Sequence, residues 1–178
     1  MLRGVAVLLA ATAALPCVAA FPEKPMRILI PFSACGSADA NARVVASKLA
    51  ERVGQPVLVE ARPDANGIIA TELVAKAPAD GYTLLLATSS FSINQAVYRK
   101  LPFDSQRDFV AIGLVVNATG MVLVAHPSLP ARNLAELITH ARANPDRVAF
   151  GSAGTCNILH LAGETSNVMT GVRLLHVP

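Results

Sequence analysis

From residue 27 onward, short runs of β-branched residues and leucine alternate with longer stretches whose apolar residues recur at helical spacing. This order constrains the fold more than any other feature, because it marks parallel strands joined by crossover helices, an α/β architecture. Candidate strands lie at residues 27–32, 57–60, 83–87, 109–112, 122–125, 148–151 and 173–177. Their unbroken apolar character fits strands covered on both faces. Ala42, Val45, Ala46, Leu49 and Val53 recur at i, i+3, i+4, i+7 and i+11, which predicts a helix that begins near Ser37 or Asp39 and stops at Gly54. Similar patterns predict helices over 68–77, 134–143 and 158–169, with Asn133 capping the second of these and Asn144-Pro145 ending it. Residues 94–108 read as a surface excursion, and polar residues near 117–119 mark a boundary between lobes.

The first twenty residues carry one cation, Arg3, an apolar core and small residues near Ala20, the pattern of a signal peptide cleaved before Phe21. The apolar stretch is shorter than the roughly 20 residues a membrane span requires, and Pro16 interrupts it. Pro16 also makes Cys17 a poor lipidation site. A formal charge of +3, with cations scattered among acids, gives no reason to expect a nucleic-acid partner. Cleavage leaves Cys35 and Cys156, without a CxxC pair or a histidine at ligand spacing, so neither zinc nor a dense disulfide framework is indicated. An oxidising compartment would still allow one bond between them.

Two predicted strands run into small-residue loops that open helices: Ser33-Ala34-Cys35-Gly36-Ser37-Ala38-Asp39, and Ser152-Ala153-Gly154-Thr155-Cys156-Asn157. A helix start presents unpaired N–H groups and partial positive charge, so each loop suits an anion. The plainer alternative is that Ser37, Asp39, Ser152, Thr155 and Asn157 only cap their helices. Two such loops from separate halves of the chain favour a ligand, because open α/β sheets bind at the carboxyl ends of their strands. Thr88 and Ser89 follow a third strand and line the same opening. No GxGxxG, phosphate-binding loop or GxSxG elbow is present. The rival enzymatic reading makes Cys35 or Cys156 a nucleophile with His160 as base.

Taken together, the segments resemble the Bug-type (TctC-like) receptors of tripartite tricarboxylate transporters. The resemblance rests on Phe21-Pro22-Glu23-Lys24-Pro25, Gly36-Ser37-Ala38-Asp39, Gly54-Gln55-Pro56-Val57, Glu60-Ala61-Arg62-Pro63, Ala79-Asp80-Gly81-Tyr82-Thr83, Lys100-Leu101-Pro102-Phe103-Asp104 and His160-Leu161-Ala162-Gly163-Glu164. It implies a two-lobed α/β fold of the type II periplasmic-binding-protein kind, with a first lobe over 21–118 and the start of a second over 119–178. These receptors normally continue beyond Pro178, so the second lobe is expected to be incomplete. It also implies a monomeric periplasmic receptor for a di- or tricarboxylate, an acidic amino acid or an aromatic acid, partnered by membrane transporter subunits and needing no metal or organic cofactor. Carried over by position, Ser33, Ala34, Gly36, Ser37 and Asp39 grip one side of a carboxylate, and Ser152, Gly154, Thr155 and Asn157 the other. Cys35, Cys156 and the stretch Asp64-Ala65-Asn66-Gly67 stand where the family usually has more glycine. A remnant that binds nothing is therefore the third reading. If Cys35 and Cys156 were joined, the bond would hold the cleft shut.

Overall fold

The computed structural model describes residues 21–117 and 120–178, so the predicted signal at 1–20 and residues 118 and 119 of the predicted lobe boundary lie outside the described residues. Strand β1 (Met26–Ile30) pairs in parallel with β2 (Val57–Ala61) on one side and β3 (Thr83–Leu85) on the other. As the middle strand it is buried at every position except Arg27, the outcome expected for a central parallel strand. A second parallel pair, β4 (Ala149–Gly151) and β5 (Leu175–Val177), forms a separate small sheet.

Helix α1 (Ser37–Val53) crosses from β1 to β2 and lays Ala42 and Ala46 on Ile28 and Ile30, with Val57, Val59 and Leu84 closing the cluster. Alanines at these contact points let the helix backbone approach the sheet. Gly54 ends the helix at φ +70°, and its N–H returns to the Ala50 carbonyl at 3.0 Å. Glycine meets that left-handed stop without a Cβ penalty.

Helices α2 (Ile68–Ala75), α4 (Leu134–Ala143) and α5 (Ile158–Thr170) appear where the periodicity places them. Asn133 caps α4 by accepting from the Glu136 N–H at 3.0 Å. Helix α3 (Ser89–Val97) runs into the start of what reads as a surface excursion from residue 94. Its sequence hides it, since the residues it buries most deeply are Ser90 and Asn94 rather than apolar ones. The rest of the excursion is pinned by Phe103, whose ring stacks 6.5 Å from that of Phe91 and meets that of Phe109 edge-on at 6.0 Å.

Two expected strands, at 109–112 and 122–125, do not form. Among the described residues neither pairs with another segment, and Val110 is 89% exposed and Val122 86%. An apolar run is not a strand until a neighbour satisfies its N–H and C=O groups.

On the second sheet α5 lies against the Phe150 ring. A Cβ placed at Gly163 would come within 2.1 Å of that ring, so only glycine permits the approach. Gly163→Ala is expected to cost about 1–3 kcal/mol, the usual penalty of overpacking, read from the urea midpoint. Adding Phe150→Leu should recover part of the loss, because the two sites share the space.

Candidate functional site

In the parallel sheet the loops after β1, β2 and β3 all emerge at one edge, which collects Ser33 to Gly36, the turn Ala65–Gly67 and Thr88. Ser33, Ala34, Gly36 and Ser37 are exposed there. Gly36 stands at the N-cap of α1 with extended backbone and no side chain capping the helix. Among the described residues no side chain therefore caps the first-turn amide groups of α1, and the partial positive charge of the helix lies behind them. Helix α3 starts in the same way: Thr88 is its N-cap, and among the described residues no side chain caps the helix and the buried Thr88 hydroxyl has no partner.

Asp39 is almost fully buried and holds the first loop rather than facing outward. Its Oδ2 accepts from the Cys35 N–H at 2.9 Å and from Arg43 Nε at 2.9 Å. The Arg43 hydrogen bond, followed by that from the Cys35 amide, holds its carboxyl below the ordinary 3.8. Cys35 sits at φ +69°, a left-handed conformation that costs a non-glycine residue about 1 kcal/mol or more. The Asp39 hydrogen bond helps to hold it there.

The second loop repeats this device. Cys156 has φ +65°, and its N–H donates to His160 Nδ1 at 2.8 Å, again four residues downstream. That nitrogen is thereby engaged by the Cys156 backbone, which removes it as a base for the thiol. Cys35 and Cys156 are both free, so no bond closes the cleft. Unlike α1, helix α5 is capped: Asn157 is buried and its Oδ1 accepts from the Leu159 and His160 amides, both at 2.9 Å. The Ser152 hydroxyl lies 2.7 Å from His176 Nε2 and 3.0 Å from the Gly154 carbonyl. The His160 and His176 rings stack 3.8 Å apart beside it. Gly154, at φ +126°, and the exposed Thr155 complete the loop.

What brings this loop to the first sheet is a residue the sequence does not single out. Asn66 is 2% exposed and left-handed at φ +63°. Its Nδ2 donates to the Thr155 carbonyl and, at 3.2 Å, to the Tyr98 hydroxyl. Next to it Gly67, at φ +78°, packs so closely on Pro31 that a Cβ would stand 2.5 Å from the proline Cβ. The turn thus touches Pro31, just ahead of the first loop, with one residue and the second loop with the other. The available signal was the Asn-Gly pair, which favours consecutive left-handed residues. Among the described residues no hydrogen bond runs directly between the two predicted loops, and no cluster of three or more His, Cys, Asp or Glu could hold a metal.

Strand-to-helix loops rich in small and polar residues, at the carboxyl ends of parallel strands, are the elements that open α/β sheets use to hold ligands. The model for the tripartite tricarboxylate transporter family receptor, TctC, matches residues 41–178, and the chain belongs to that family. It is 38% identical over 159 residues to the UPF0065 protein in the tcbD-tcbE intergenic region of Pseudomonas sp. (strain P51), covering 89% of this chain and 47% of that one. With protein BugT of Bordetella pertussis it shares 36% over 160 residues, 89% of this chain and 49% of the other. The fold is similar to that of the periplasmic binding protein BugD, with a TM-score of 0.77 at 32% identity over 89% of this chain and 52% of that one. It is also similar to an R. palustris protein solved with adipate, with a TM-score of 0.75 at 31% identity over 89% and 53%. The chain spans about half the length of the relatives it matches.

The Asp39 network has a pH signature. A carboxyl held below its unfolded value contributes stability that is fully present above that value and lost as pH falls through the folded one. Thermal melts should therefore show the protein losing stability below about pH 4. Asp39→Asn should melt lower than the parent at pH 7 and lose less between pH 5 and 3; equal acid slopes would remove Asp39 from the account.

Proposed function

We propose that this chain is the ligand-gripping portion of a periplasmic receptor for a small carboxylate, delivered to the membrane subunits of a tripartite tricarboxylate transporter. The observation that carries the reading is the uncapped N-terminus of α1 at the strand edge, where a carboxylate gains charge-assisted hydrogen bonds from the first-turn amides. Membership of the receptor family and the adipate held by the R. palustris protein support it. The first twenty residues, with the character of a signal peptide, support export to the periplasm. In this reading Ser33, Ala34, Gly36 and Ser37 face the anion from one side, and Ser152, Gly154 and Thr155 from the other. Thr88 and Ser89 lie along the floor between them. Asp39 holds the first loop in shape and reaches the ligand only through it, whereas Asn157 shapes the second loop through its Oδ1 and keeps its Nδ2 beside Gly154 for the ligand. The lobes divide near 117–119, and the receptor works as a monomer.

The test separates binding from folding. Calorimetry with adipate, succinate and a wider carboxylate panel should show one-site binding, and absence of heat across the panel would sink the reading. Ser37→Asp places a negative charge in the first turn of α1, which favours the helix by about 0.3–1 kcal/mol while repelling an anion. The variant should melt no lower than the parent and bind no carboxylate. Undiminished affinity would show that the first loop is not the site.

A further inference from the structure

At the meeting of the two loops stands a buried acceptor without a donor. Asn66 commits its Nδ2 to the Thr155 carbonyl and the Tyr98 hydroxyl, but its Oδ1 is buried and has no hydrogen-bond partner among the described residues. That oxygen points at Gly154, lying 3.6 Å from where a Cβ on that glycine would stand, and Asn157 Nδ2 lies 4.0 Å from the same point. An acceptor and a donor thus flank the space above one glycine of the second loop. Leaving a buried carbonyl unpaired costs about 1–3 kcal/mol, so the arrangement suits a visitor that brings its own donor. A carboxylate supplies only acceptors. A hydroxyl or ammonium on the carbon next to the carboxylate supplies the donor, while the carboxylate oxygen beside it can accept from Asn157 Nδ2.

We propose that Asn66 is a specificity-determining residue of this site, its carboxamide oxygen accepting a hydrogen bond from a 2-hydroxyl or 2-ammonium group, so that hydroxy and amino carboxylates are selected over plain ones. The inference rests on the carboxylate reading above and narrows its substrate class. The fixed orientation of the amide carries the selectivity. Because the Thr155 carbonyl must face the NH2 side, the oxygen is obliged to face Gly154.

Malate and succinate share a four-carbon dicarboxylate skeleton and differ by one hydroxyl, so the ratio of their affinities isolates the contact. Calorimetry on the mature chain should show malate bound about tenfold more tightly, the worth of one hydrogen bond to an otherwise unpaired buried group. Asn66→Gly, which the left-handed φ accommodates, should bring the ratio close to one. Tyr98→Phe removes a neighbour of Nδ2 and leaves the oxygen in place, so it should keep the ratio. Equal affinities in the parent would overturn the proposal, as would Asn66→Gly lowering both affinities by the same factor and so keeping the ratio, since the loss of a purely structural clasp would do that. If neither acid binds nor raises the melting temperature, the carboxylate reading itself falls, and this one with it.

Discussion

Two consecutive left-handed residues, Asn66 and Gly67, hold the arrangement together. Their dihedrals, φ +63° and ψ +19° followed by φ +78° and ψ +17°, are those of a type I′ turn. The close seat on Pro31 demands a glycine at the second position, and the reach to Thr155 demands a side chain at the first. Asparagine meets both demands at Asn66, because it tolerates the left-handed region better than other residues with a side chain. From this turn the first loop acquires a wall and the second loop an anchor.

The two strand-to-helix loops share a construction that differs in its fixing group. In each, a cysteine takes the left-handed conformation just before the helix and gives its amide to the side chain four residues on. In the first loop that side chain is an aspartate paired with Arg43, and the helix start behind it stays open. In the second it is a histidine stacked on His176, and the helix start is closed by Asn157. The loops are therefore unequal partners. One presents bare amides, and the other a shaped surface of glycine, hydroxyl and carboxamide.

Much of this was legible in the sequence, for identifiable reasons. Helices α1, α4 and α5 announce themselves because their apolar residues repeat at a single period and their ends carry glycine or asparagine. The middle strand is legible because burial on both faces leaves a run that only a parallel sheet explains. The segments 109–112 and 122–125 misled because β-propensity describes a residue's fitness for a ladder and is silent on whether a neighbour exists. Helix α3 escaped because Ser90 and Asn94, two polar residues, take the buried positions. Asn66 escaped for a subtler cause. The resemblance marks it as a glycine lost, whereas the fold makes it a side chain gained.

The clasp at Asn66 joins residues 89 positions apart in sequence, while β1 meets its partner strands across separations of 31 (Met26 to Val57) and 56 (Arg27 to Thr83). Contacts that close long loops give up the most chain entropy and reward it latest. The first sheet can thus be complete before the second loop finds its seat. In the folded protein the same junction, held by a few polar contacts and the packing of α3 on α5, is where opening is cheapest. Amide exchange would see the strands as one slow body and the 152–157 loop as a latch that lifts without melting them, which is the freedom the proposed receptor would use to admit and release its ligand.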